Sequence, residues 1–139
     1  MLGRRWPQAV LIAVLLICTS GAVAASYIFP MPSFVKSHGA RPQKVATVKL
    51  KIEDVRCRGR ANLLFYFLER DDLYEIPGYF KVEAWPGPGA ADVHVTYDPS
   101  LTGDKAIKQA ITEPYYDLPA DYWRNSPFRI QGYDPLSTD

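Results

Sequence analysis

The chain has 139 residues, with 16 Lys and Arg against 15 Asp and Glu and a net charge of +1. That length accommodates one domain with appendages, and so even a charge balance argues against nucleic-acid binding, which needs a basic face. Two cysteines, Cys18 and Cys57, fall in different regions and exclude a disulfide framework of the kind that staples small secreted domains.

Residues 9–29 carry no charge, and about 20 such residues suit a bilayer-spanning helix. Trp6 and Tyr27 sit near the two ends of the run, where interfacial aromatics are favoured. Arg4 and Arg5, the apolar run and Ala22-Val23-Ala24 also fit a secretory signal peptide cleaved after Ala24. The preferred reading is a retained transmembrane signal anchor over residues 1–29. Cys18 lacks the preceding small residue that lipidation requires. Arg4 and Arg5 favour a cytoplasmic N-terminus, while Lys36, Arg41, Lys44 and Lys49 follow the span closely and oppose it. The signal-like start favours a bacterial inner-membrane protein with a periplasmic domain. The span holds no histidine, so no chlorophyll or haem is expected to be ligated by it, and no cofactor is expected.

Residues 30–45 have prolines near their ends and no sustained period, and read as an extended linker with His38 solvated. From Ala46 to Ile52, Val48, Leu50 and Ile52 alternate with Thr47, Lys49 and Lys51, the period of a half-buried strand. From Gly59 to Glu69 the period lengthens, with Ala61, Leu64, Phe65 and Leu68 at helical spacing. Phe80, Val82 and Ala84 alternate again, as do Val93, Val95 and Tyr97. Pro86-Gly87-Pro88-Gly89 between them is hairpin-turn chemistry. A second helix spans roughly residues 101–112, with Ile107, Ala110 and Ile111 on one face. Asp98, Ser100 and Thr102 are ready caps for it. The fold class is α+β. The order strand, helix, strand, strand, helix is most of a split βαβ, ferredoxin-like βαββα(β) sandwich, preceded by one transmembrane helix.

Four pieces of this unit carry a resemblance: Val55-Arg56-Cys57-Arg58-Gly59-Arg60, the run Gly78 to Ala84, Val95-Thr96-Tyr97-Asp98-Pro99, and Ile107-Lys108-Gln109-Ala110-Ile111. Residues 46–112 resemble the heavy-metal-associated domain of copper chaperones, mercury-binding periplasmic proteins and metal-pumping ATPases. The resemblance covers about half the chain. That family places an M-x-C-x-x-C loop after its first strand. Here Cys57 takes the first cysteine position, Arg60 the second, and Val55 the methionine. A soft metal wants two thiolates and a closed zinc site usually four ligands. One thiolate among three arginines is a site that has lost its metal. No metal is expected, and Cys57 stands as the alternative ligand or as an activated thiol.

Residues 113–139 depart from the family, whose domain ends soon after its second helix with a short fourth strand. Residues 128–133 are a candidate for that edge strand. Tyr115, Tyr116, Tyr122, Trp123, Phe128 and Tyr133 lie among prolines. They read either as cover for the open face of the sheet or as a docking surface for a partner. His94 alternates with Val93 and Val95 and should face away from the helices. Asp71, Asp72 and Glu75 read as a solvated helix-breaking cluster, since no 12-residue acidic loop surrounds them. No phosphate loop or nucleophile elbow is present. The reading is a non-catalytic accessory subunit of a larger membrane complex, respiratory or photosynthetic, with other integral-membrane subunits and the bilayer as partners. The alternative is a membrane-tethered metal-binding protein or thiol sensor using Cys57.

Overall fold

The computed structural model describes residues 12–17 and 32–135. The chain divides into two units, Met1–Met31 and Pro32–Asp139. In the first, residues 12–17 are helical, with Ile12, Leu15, Leu16 and Ile17 exposed. Among the described residues no helix is long and apolar enough to cross a membrane. Most of the expected span over residues 9–29, with Trp6 and Tyr27 at its ends, lies outside the described residues.

The second unit is a mixed α+β fold. Its elements in order are β1 (Phe34–Ser37), β2 (Ala46–Glu53), α1 (Arg58–Leu68), β3 (Tyr79–Trp85), β4 (Ala90–Tyr97), α2 (Asp104–Thr112), β5 (Tyr115–Asp117) and β6 (Tyr122–Arg124). Four of the strands form an antiparallel sheet in the order β1-β3-β4-β2, and β5 pairs with β6. The registers Val48↔Val95, Leu50↔Val93 and Val82↔Val95 put the alternating apolar side chains on one face. That face closes on Ala61, Leu64, Phe65 and Leu68 of α1 and Ile107, Ala110 and Ile111 of α2, all buried. Each fully buried Val, Leu, Ile or Phe contributes roughly 1.5–3 kcal/mol, so this two-layer core dominates the stability. The opposite face of the sheet carries the polar residues of the alternation, among them Lys49, Lys81, Glu83 and His94.

Two glycines are required by geometry. Gly78 enters β3 at φ +76, and a Cβ there would sit 3.0 Å from that of Leu101. In the β3–β4 turn, a Cβ on Gly87 would lie 2.3 Å from the Ala90 carbonyl oxygen.

The structure corrects three expectations. Residues 34–37, expected within an extended linker, form β1 along the free edge of β3, with Lys36 opposite Val82. The edge of β3 offers unpaired backbone groups, and Phe34 packs against the core. Together these outweigh the entropy of leaving the segment free. The edge strand expected over residues 128–133 contracts to one antiparallel bridge, Ile52↔Ile130. Two bonds hold it, Glu53 N–H to Arg129 O and Gln131 N–H to Lys51 O, both 2.9 Å. The chain then turns away at Gly132, where φ is +74. Finally, α2 begins at Asp104 with Gly103 as N-cap and no side-chain cap bond. Asp98 instead closes its own turn, accepting from Ser100 N–H at 2.9 Å and Ser100 Oγ at 2.6 Å.

Candidate functional site

The last turn of α1 meets the end of α2 through one arginine. Arg70 has a side chain only 4% exposed, the sole buried charged residue among those described. An unpaired buried guanidinium would be prohibitively costly, and here its donors are engaged on every side. Nε donates to Asp72 Oδ1 at 2.7 Å and Nη2 to Oδ2 at 2.5 Å, a bidentate pair. Nη1 donates to Ala110 O at 3.0 Å and Nη2 to Pro114 O at 2.6 Å, carbonyls that the end of α2 leaves without helical partners. The rings of Phe67 and Tyr74 flank the cation at 5.7 and 4.9 Å. Burial pushes the Asp72 carboxyl up, but the bonds and charge of Arg70, with the Tyr74 N–H, outweigh it and hold the group below its ordinary value. Asp72 was expected in a solvated acidic cluster. It is the counter-ion of the seam instead, because α1 ends just before it and turns the arginine inward.

This seam positions the aromatic tail. Phe67 of α1 receives Tyr115 edge-on at 5.0 Å and Phe128 at 5.4 Å. Phe128 is 2% exposed, so it belongs to the core and not to a docking surface. It also lies on the helix side, which corrects the expectation that the tail aromatics cover the open face of the sheet. Tyr133 is partly buried beside α2, with Lys108 Nζ 5.6 Å over its ring.

The hairpin β5–β6 projects the other aromatics. Register puts Tyr116 opposite Trp123, and their rings meet at 5.6 Å. Such cross-strand aromatic pairs stabilise short hairpins that cannot otherwise hold together. Asp117 pairs with Arg124 at 2.6 Å, Arg124 stacks over Tyr122 at 4.7 Å, and the Tyr116 hydroxyl donates to Asp121. Left outward are Leu118 at 78% exposure, Tyr122 at 49% and Trp123 at 47%. Between the hairpin and α1 lies a cavity of about 220 Å³, lined by Tyr66, Phe67, Arg70, Tyr115, Tyr116 and Leu118 among others. Small-molecule sites usually hold about 300–1,000 Å³, so this one suits a single inserted side chain.

Cys57 is exposed at the N-cap of α1. Among the described residues no three His, Cys, Asp or Glu side chains gather where a metal could be held. His94 meets Trp85 at 4.6 Å on the outer face of the sheet, as its alternation required. His38 is not merely solvated: it lies over the Tyr79 ring at 5.6 Å. Sequence reasoning missed Arg70, Tyr66 and Leu118, whose roles depend on which helix end faces which loop. No protein-family model matches the sequence, and no curated protein or solved structure matches it either.

Proposed function

We propose that the chain is a non-catalytic, membrane-anchored accessory subunit that docks against other subunits of a larger membrane assembly. The observation that carries this reading is the β5–β6 hairpin. A small domain has spent an ordered element on presenting Leu118, Tyr122 and Trp123 to solvent beside a side-chain-sized cavity. Exposed aromatics of this kind are the commonest anchors of protein interfaces. The anchor expected over residues 9–29 would tether the domain to a bilayer, on the periplasmic side in the expected topology. Respiratory and photosynthetic complexes are the class of assembly in which such single-span subunits are common.

With β2, α1, β3, β4 and α2 in that order and Ile130 bridged to the outer edge of β2, the arrangement is compatible with a ferredoxin-like βαββαβ unit. It fits a degenerate member of the heavy-metal-associated family that keeps the scaffold and has turned from metal to protein recognition. The alternative, a metal-binding or thiol-sensing role for Cys57, rests on that thiol's exposure at a helix N-cap. It predicts metal or oxidant sensitivity that disappears in Cys57→Ser.

The test is mild detergent extraction of native membranes, size separation and mass spectrometry, for the wild type and for a Tyr122→Ala, Trp123→Ala double variant. The reading expects comigration at fixed ratio with a large complex, and loss of that comigration in the double variant while the domain stays folded. A wild-type chain that runs alone or as a dimer removes it.

A further inference from the structure

One long edge of the sheet is only partly covered. β2 pairs with β4 on one side, and its other edge meets the tail at the bridge Ile52↔Ile130. The two bonds of that bridge use the Glu53 N–H and the Lys51 carbonyl. In an antiparallel ladder, every second residue aims both its backbone groups at the same edge, so those of Thr47 and Lys49 point the same way. Among the described residues they have no backbone partner on that side. The tail does not continue along them, because it turns away at Gly132, where φ is +74. What it leaves is a cleft of about 410 Å³, lined by residues 47–51 of β2, by Asp104 and Lys108 of α2, and by tail residues including Tyr133.

From this geometry we infer that the open part of the β2 edge takes an extended, acidic segment of a partner chain, which adds an antiparallel strand opposite Thr47 and Lys49. The inference goes beyond the hairpin reading and does not rest on it. The free N–H and C=O of each of those two residues supply the main-chain bonds, the usual source of affinity in strand addition. Side chains set the kind of segment. Thr47, Lys49 and Lys51 are exposed on the outer face, and a residue paired with Lys49 places its own side chain on that face beside it. Lys51 pairs with Asp92 at 3.1 Å, whereas Lys49 has no counter-ion among the described residues. Three lysines line the cleft against one aspartate, and Asp104 already accepts from the Tyr97 hydroxyl at 2.5 Å. An acidic side chain beside Lys49 is therefore favoured, since opposite charges across a strand pair attract. The alternate residues of the segment face inward, in line with Val48 and Leu50, where small apolar side chains fit.

The same lysines select against a second copy of the chain. Self-pairing of β2 would bring another Lys49 and Lys51 onto the face that already carries these two, and edge lysines are a common device against such pairing. An acidic strand from a different chain meets no such repulsion.

The test titrates the isotope-labelled full-length chain, in detergent micelles, with the peptide Ac-Val-Glu-Val-Glu-Val-NH2 and follows the backbone amides by NMR. The amides of Thr47 and Lys49 should shift saturably, and their hydrogen exchange should slow by at least about tenfold at saturation. The same peptide with both glutamate amides N-methylated should not bind, because those amides are the ones that meet the edge. Lys49→Glu should weaken binding of the acidic peptide about five- to tenfold, an attraction lost and a repulsion gained at an exposed site. It should tighten Ac-Val-Lys-Val-Lys-Val-NH2 by a similar factor. The Tyr122→Ala, Trp123→Ala chain should bind the acidic peptide as the wild type does, which separates this result from any failure of the hairpin to dock. An acidic peptide that leaves the Thr47 and Lys49 amides unmoved at millimolar concentration overturns the proposal. So does equal binding of the acidic and lysine peptides by the wild type. Edge amides already protected in a dimer of the chain would overturn it in favour of a second copy.

Discussion

Arg70→Met separates the arginine's charge and hydrogen bonds from its bulk. Methionine keeps an unbranched apolar stem of similar length against Phe67 and Tyr74, so no large cavity opens. What disappears is the bidentate bond to Asp72 and the donors to the carbonyls of Ala110 and Pro114. Hydrogen bonds to a charged group are worth about 1.5–3 kcal/mol each, but they are not additive when one group makes them all. Breaking a buried ion pair by removing one partner costs about 3–5 kcal/mol. Asp72 is about one-quarter exposed and can recover some hydration, so about 3 kcal/mol is the expected loss. For a domain of this size that would lower Tm by about 12 °C or more. Urea unfolding followed by tryptophan fluorescence measures it, since Trp85 and Trp123 report on the sheet and the hairpin. Arg70→Lys should recover only part of the loss, because one ammonium cannot serve a carboxylate and two separated carbonyls together. The reasoning fails if Arg70→Met costs under 1 kcal/mol with an unchanged denaturant slope. Arg70 would then be a passenger, and apolar packing alone would join the helix ends.

Other outcomes follow from single contacts. Asp72 titrates below its ordinary value when folded. Its contribution is therefore complete above the unfolded carboxyl range near pH 4 and is lost as pH falls through the folded value. Acid unfolding of Asp72→Asn should accordingly be less steep than that of the wild type. Tyr79→Phe removes a buried hydroxyl without a partner and should be neutral or stabilising by about 1 kcal/mol in urea unfolding; a loss of 2 kcal/mol would mean that the hydroxyl is bonded after all. Gly87→Ala meets the Ala90 carbonyl and should cost about 1–3 kcal/mol, read from the same unfolding curves. Tyr122→Ala with Trp123→Ala removes the Tyr116–Trp123 pair and the Arg124–Tyr122 stack and should cost the hairpin about 1–2 kcal/mol while the core stays folded. A larger change would show that the hairpin supports the fold and was not free to dock.

The sequence alone determined the elements whose periods are unambiguous. Val48-Leu50-Ile52 and Val93-Val95 alternate cleanly, and α1 and α2 carry apolar residues at helical spacing. Pro86-Gly87-Pro88-Gly89 has no role but a turn. In each, local propensity and burial favour the same conformation, so a short window carries the answer. Tertiary structure decided the rest. Phe34-Val35-Lys36-Ser37 is a strand because the edge of β3 was open beside it, and four residues show no period that could have announced this. Phe128 is core and Trp123 is surface, although both are aromatics in the same proline-rich tail. The difference is set by Phe67, which reaches one of them from α1, about sixty residues earlier in the chain. Arg70 is buried because the end of α2 leaves carbonyls facing the end of α1, and Glu69 has Lys36 as a partner because β1 arrives beside it. Contacts of that kind join residues distant in sequence, and they exist only after the chain has closed on itself.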